Sequence, residues 1–258
     1  MIKLEHVVLA SPEQMEFIIE GTRNPMNSWE KSDSSCCAGE GFGQCSSCDH
    51  SDRCMNDGEF YLGDNDHSLM QSLANAGTDH RKFMRMIPVY VRITAPLYWW
   101  KEFDTYKVGT VANSCSTMHK IQEKEFKLED FSCEHLISTC LLENIINELN
   151  VYRGIYINYD KQTGKYKEEF SKKDIWWQMI QLLPSSYNQT RNVMMNYEVL
   201  ANIYGSRRNH KLDEWREFCK WIEGLPYSEL ICGSESLKMV EVGKAAADGI
   251  REGLMKED

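Results

Sequence analysis

The residues best suited to ligand chemistry are three polar side chains late in the chain, Asn196, Asn202 and Arg207, spaced six and five positions apart. A guanidinium is a planar cation with a rigid fork of N–H donors, so it suits a planar ligand better than lysine does. If one unbroken helix carries all three, Asn196 and Arg207 lie about 20° apart around its axis, and Asn202 lies about 120° away. The alternative is that Arg207, beside Arg208, is a surface arginine at the end of a solvated helix.

A second set of candidate binding residues lies between positions 106 and 120. Cations, hydroxyls and the backbone N–H groups of a tight turn around Asn113 can together bind a phosphate. Tyr106 closes an aromatic stretch whose rings can stack on a planar ring. The alternative is a loop whose serine and threonine hydroxyls bond its own backbone. The candidate phosphate donors are Ser116, Thr117, His119 and Lys120, and Lys107 can orient a ligand.

Cysteines form a third candidate site, within a segment rich in Ser, Gly, Cys and Asp from about 32 to 57. The pair Cys45 and Cys48 is spaced as in the turns that clasp zinc, and Cys37 and Cys54 complete a tetrahedral set. Cys36 and His50 are alternative ligands in the same segment. The competing interpretation is a loop of unpaired cysteines. Loops of this length are usually functional, metal-held or mobile.

The first half of the chain predicts two strands and two helices. Residues 2–9 have the pattern of a strand, and Ser11 can cap a helix that has Pro12 at its first position and ends near residue 22. A further helix is predicted from about Asp66 to Ala76, ended by Gly77. After it, alternating apolar residues over 89–93 predict a half-buried strand.

Beyond Pro96 the pattern is mostly helical. Apolar residues recur at threes and fours over 136–149, 175–183, 193–204 and 215–222, and each stripe predicts a helix that buries one face. Trp99 and Trp100 are predicted core residues, because neighbouring tryptophans at a helix start are more often packed than exposed to a ligand. Together these strands and helices predict an α+β fold with a small antiparallel or mixed sheet and a large helical half. At 258 residues, one domain over 1–258 is expected.

The composition narrows the classes of partner. A formal net charge of −10 and a pI near 5.3 argue against a surface that binds duplex nucleic acid or anionic lipid. No apolar run is long enough to span a bilayer, and the start lacks the pattern of a signal peptide, so a cytoplasmic protein is expected. The cysteines outside the Cys-rich segment, at 115, 133, 140, 219 and 232, are predicted to be buried thiols.

The late polar residues also carry a family resemblance. Leu183-Pro184 precedes a segment with two asparagines six apart and an arginine five further on. This arrangement resembles the C-terminal signature of the flavin-dependent thymidylate synthases (ThyX), and its spacing matches without a gap. The resemblance implies that Asn196 and Asn202 lie near the flavin, and that Arg207 holds and polarises the pyrimidine of deoxyuridylate (dUMP).

The first half is similar to the same family in the order of its elements and in part of its motif. Asn113 matches the asparagine of the family's Asn-Glu pair, and Ser116 matches the serine two residues after that pair. The other motif positions differ. These positions carry Tyr106-Lys107-Val108 for an Arg-His-Arg triplet, Ser114 for the glutamate, Met118-His119 for Arg-Tyr, and Thr78 where a flavin-packing histidine is expected.

The resemblance implies a function as well as a fold. It implies a homotetrameric FAD enzyme that makes dTMP from dUMP with methylenetetrahydrofolate and NADPH, with the flavin site shared between subunits. In that scheme Arg207 is catalytic, Ser116, Lys107 and His119 join it in binding substrate, and Asn113 and Tyr106 join the two late asparagines at the cofactor. The alternative is a divergent protein that keeps the fold, has lost flavin catalysis, and binds a nucleotide or another protein.

Overall fold

The computed structural model describes residues 1–36, 60–161 and 169–233. It has the predicted α+β architecture, with a small antiparallel sheet and many helices. The helices are α1 (Pro12–Arg23), α2 (Asp64–Asn75), α3 (Leu97–Phe103), α4 (Cys140–Ile157), α5 (Lys172–Leu182), α6 (Tyr197–Arg207), α7 (Asp213–Glu223) and α8 (Glu229–Cys232). The strands are β1 (Lys3–Leu9), β2 (Ser35–Cys36), β3 (Phe60–Tyr61), β4 (Pro88–Pro96), β5 (Val111–Ser114) and β6 (Asn188–Asn196).

Four strands form the main sheet in the order β1-β4-β6-β5. Backbone bonds at the ends of the central pair fix its direction: Leu97 N donates to Tyr187 O at 3.0 Å, and Tyr197 N donates to Ile87 O at 3.1 Å. The end of one strand therefore meets the start of the other, as antiparallel pairing requires. A separate antiparallel pair, β2 with β3, has the register Ser35 to Tyr61 and Cys36 to Phe60.

The chain divides into two compact units. The first consists of Met1–His6, Val91–Lys107 and Val111–Val193. In its helical part α4 packs on α5 around a buried cluster that includes Phe131, Leu149 and Met179. The side chain of Asn150 joins the preceding loop to α4, because it accepts from Phe126 N at 2.9 Å and donates to Phe126 O at 2.8 Å. Trp99 and Trp100 are fully buried, which confirms them as core residues.

The second unit consists of Val7–Tyr90, Val108–Thr110 and Met194–Asp258. Within it, α6 buries about half of its residues and packs on α7, on α8 and on a short 3-10 helix, Arg81–Met86. Ser11 caps α1 as predicted, and a capping box is complete because Gln14 bonds back to the Ser11 N–H. A single domain over 1–258 remains a prediction.

Two sequence expectations about local structure were wrong. The predicted helix over 193–204 is a strand up to Asn196 and a helix only from Tyr197, since a short apolar run fits either element. The stripe over 136–149 enters a helix only at Cys140, after the polar residues Ser138 and Thr139, so its first two members, at 136 and 137, are exposed.

The prediction that the scattered cysteines are buried holds for only part of the set. Cys219 and Cys232 are buried, and burial raises the pKa of each thiol to about 12, so both stay protonated at neutral pH. Cys115 and Cys140 are exposed, because one follows the edge strand β5 and the other begins α4. Within the three described ranges, no helix is long and apolar enough to cross a membrane.

Candidate functional site

Asn196 ends β6 and caps α6. Its side-chain Oδ1 accepts a hydrogen bond from Val199 N at 3.0 Å, as an N-cap asparagine does. Its Nδ2 faces Gly109, where an added Cβ would lie 3.0 Å from that nitrogen and 3.1 Å from a Val199 methyl carbon. Gly109 also has φ +78°, a backbone conformation that favours glycine. The buried Asn196 amide therefore has a structural role at the start of the helix.

The helical geometry expected for the three polar residues was correspondingly wrong. Because Asn196 precedes the first helical residue, Tyr197, its side chain does not follow the angular spacing of α6. Asn202 lies within α6, and Arg207 is its last residue. The structure thus puts the three residues on one strand-to-helix segment without giving Asn196 and Arg207 a common helical face.

Asn202 belongs to a polar cluster that sequence reasoning did not find. Arg81 donates from Nη2 to Asn202 Oδ1 at 3.2 Å, and its Nε lies 2.8 Å from Glu198 Oε2. The Glu198 side chain is 9% exposed and that of Arg81 is 21% exposed, so a buried carboxylate is paired with a partly buried cation. The Arg81–Asn202 contact joins residues 121 positions apart. The sequence marks the region of Arg81 only by its departure from the family's histidine motif after Gly77.

Arg207 lies against an aromatic ring. Its guanidinium carbon is 4.8 Å from the centre of the Trp215 ring, on α7, and its side chain is half-buried. Such cation–π contact uses one face of the guanidinium, whereas the N–H groups point outward in its plane. The ring therefore limits the orientations of the cation.

The predicted phosphate-binding residues belong to the first unit. Asn113 is in the exposed strand β5 and not in the tight turn expected for it. Ser116 Oγ accepts from His119 N at 3.0 Å, so this loop does bond its own backbone, as the alternative interpretation held. Lys107 is exposed and Tyr106 is half-buried. The ligand roles of these five residues remain predictions.

A second arginine cluster in the first unit was also missed from sequence. Arg191 donates to Asp104 at 2.7 Å and to the Gln189 side chain at 2.9 Å, and its guanidinium lies 4.1 Å from the centre of the Trp100 ring. Gln189 in turn donates to Cys115 O at 2.9 Å. The cluster therefore joins β6 to the residue that follows α3 and to the residue that follows β5.

The base of the Cys-rich segment is organised around Asp66, on α2. One oxygen of this buried carboxylate accepts from Arg23 Nε at 2.5 Å. The other accepts from N–H groups and hydroxyls at the start of the segment. Those donors are Ser32 Oγ, Asp33 N, Ser34 N and Ser34 Oγ, at 2.6–3.1 Å. A cavity of about 420 Å³ lies beside it, lined in part by Glu16, Glu20 and Trp29.

The proposed zinc ligands Cys37, Cys45, Cys48 and Cys54 lie outside the described residues, as does His50. In the parts of the chain that the structure does describe, no three His, Cys, Asp or Glu side chains form a metal-binding group. The zinc set remains a prediction.

Two solved structures of thymidylate synthase X (ThyX) from Helicobacter pylori, both with FAD and dUMP, are similar to this chain. One has a TM-score of 0.57 at 14% identity and covers 92% of this chain and 98% of its own. The other has a TM-score of 0.55 at 14% identity and covers 91% of this chain and 98% of its own. No protein-family model and no curated protein matches the sequence. At this identity the likeness establishes a ThyX-like fold.

Proposed function

We propose that this chain is a divergent flavin-dependent thymidylate synthase that binds FAD and dUMP and forms dTMP. The observation that carries the proposal is that a chain with a ThyX-like fold along nearly its whole length also has the family's spacing of two asparagines and an arginine. That spacing lies in its β6–α6 segment. Neither the fold nor the spacing alone would support this function, because folds host many functions and short motifs recur by chance.

The residues around α6 fit a flavin in the chemistry of their donors. The ring system of a flavin presents carbonyl oxygens and unprotonated nitrogens, which need N–H donors. Asn202 is exposed, and its oxygen already accepts from Arg81, so its amide N–H groups face away from that partner. We propose that Asn202 contacts the ring directly, whereas Asn196 contributes mainly by capping the helix on which Asn202 lies.

The proposed substrate contacts divide by chemistry. Arg207 would donate to the uracil carbonyl and stabilise the negative charge that develops on the ring. Lys107, Ser116 and His119 would bind the phosphate, and Tyr106 and Asn113 would lie at the cofactor. Bound FAD would carry hydride from NADPH, so that the methylene of the folate becomes the methyl group of dTMP while tetrahydrofolate and NADP⁺ are released. A homotetramer belongs to the same proposal.

A non-catalytic relative is the second candidate, and specific contacts favour it. Ser116 bonds within its own loop, the Asn196 oxygen is used by the helix cap, and Tyr106-Lys107-Val108 stands where the family has two arginines. Such a protein would keep the fold and bind a nucleotide or another protein.

Flavin uptake separates the two candidates. Chain purified and mixed with FAD is expected to retain flavin absorbance through gel filtration, and dUMP is expected to change that absorption spectrum because it would stack or bind beside the ring. UMP and dCMP serve as matched nucleotide controls. Colourless protein that takes up no FAD would favour the non-catalytic candidate.

A further inference from the structure

Arg81 links two residues that lie one turn apart on α6. Glu198 and Asn202 are four positions apart, so their side chains share a face of the helix. The guanidinium lies 2.8 Å from the Glu198 carboxylate through Nε and donates to Asn202 Oδ1 at 3.2 Å through Nη2. All three belong to the second unit. Arg81 itself begins the 3-10 helix that packs on α6.

The chemistry of these groups fixes the orientation of the Asn202 amide. An arginine side chain has five N–H donors and no acceptor, so only the oxygen of an amide can face it. The Asn202 NH₂ group must then point away from Arg81, and Asn202 is exposed. A ligand that contacts Asn202 at this group must supply acceptor atoms.

The buried carboxylate of Glu198 accounts for the position of Arg81. Glu198 lies in the first turn of α6, where the helix dipole favours a negative charge, and its side chain is 9% exposed. A lysine can neutralise this carboxylate as a point charge. It lacks the planar fork that reaches a carboxylate and an amide at the same time.

We infer that Arg81 is a positioning residue for flavin binding: it holds the Asn202 amide so that its N–H groups donate to a carbonyl oxygen or an unprotonated nitrogen of the flavin ring. The inference rests on the proposed flavin site, and it adds both a residue outside the family's motif positions and the direction of the hydrogen bond.

Two substitutions test this assignment by fluorescence titration of the protein with FAD. Arg81→Lys keeps a cation beside Glu198 but loses the contact to Asn202. Asn202→Asp keeps an acceptor for Arg81 and removes the outward donor, with almost no change in shape. Each is expected to weaken FAD binding roughly two- to tenfold, the effect of losing one oriented hydrogen bond. Melting temperatures should stay close to that of the wild type.

The double variant Arg81→Lys with Asn202→Ala provides a readout that a merely structural role of Arg81 would not move. If Arg81 acts through Asn202, the double variant binds FAD no more weakly than Asn202→Ala alone. Arg85→Lys, an exposed arginine in the same 3-10 helix, is the matched control and should bind FAD as the wild type does.

The outcomes separate this inference from the proposed function. Wild-type protein that binds FAD, with Arg81→Lys binding it equally well, overturns the inference and leaves the proposed function standing. Additive losses in the double variant overturn it as well. Wild-type protein that takes up no FAD overturns both.

Discussion

Replacing Arg207 with alanine is expected to weaken dUMP binding by roughly 10- to 150-fold, the range for losing a hydrogen bond to a charged donor. The physical reason is that alanine lacks the planar fork of N–H donors, whose orientation in Arg207 is restricted by contact with Trp215. Loss of the contact with Trp215 is expected to lower the free energy of unfolding by about 0.5–1 kcal/mol, the magnitude of a cation–π contact at an incompletely buried site. Isothermal titration with dUMP and a thermal melt measure the two effects separately.

The adjacent Arg208→Ala is the matched control, because it removes an equal charge from an exposed position one residue away. Its dUMP affinity should stay close to that of the wild type, which shows that net charge near the helix end is not the cause. Unchanged dUMP affinity in Arg207→Ala would show that the family's role for this arginine does not apply here.

The Asp66→Asn substitution is expected to produce the largest loss of stability, about 3–5 kcal/mol. Whichever way the new amide turns, its NH₂ group meets N–H or O–H donors from Arg23 or from the residues 32–34. Arg23 is buried and would lose its counter-ion. A total stability of about 5–15 kcal/mol makes this a large fraction, readily measured by urea unfolding at neutral pH.

The pH dependence gives Asp66→Asn a second test. Burial by itself raises the pKa of Asp66, but hydrogen bonds from Ser34, Ser32 and Arg23 and from the Asp33 N–H outweigh it and leave the pKa below its ordinary value. Stability from a lowered carboxyl pKa is present above the unfolded-state value, about 3.9, and is lost as pH falls through the folded-state value. The difference between wild type and variant should therefore narrow below about pH 4.

Asp64→Asn, in the exposed first turn of the same helix, is the control and should change stability by no more than about 1 kcal/mol. An Asp66→Asn variant that unfolds at the same urea concentration as the wild type would mean that the carboxylate does not hold the base of the Cys-rich segment.

Much of the local structure could be predicted because its signals are local. Ser11 before Pro12 predicted the start of α1, and Gly77 predicted the end of α2, because caps act within one turn of the backbone. The alternation over 89–93 predicted β4 for the same reason. These elements need no information from distant residues.

The candidate site could be predicted only in part, because its contacts join distant positions. Asn202 was proposed from its spacing, but its partner Arg81 is 121 positions away, and nothing in either local pattern indicates the other. Asn196 was expected inside a helix because the apolar run before it fits two elements; the strand pairing of β6 decides between them. The two-oxygen binding of Asp66 likewise depends on residues more than 30 positions away.

The most direct test of thymidylate synthesis is chromatographic detection of dTMP made by FAD-loaded protein with dUMP, methylenetetrahydrofolate and NADPH. We predict that the wild type forms dTMP, that formation requires every one of these reactants, and that Arg207→Ala loses it. Wild-type protein that holds FAD and binds dUMP yet forms no dTMP would contradict the proposed reaction.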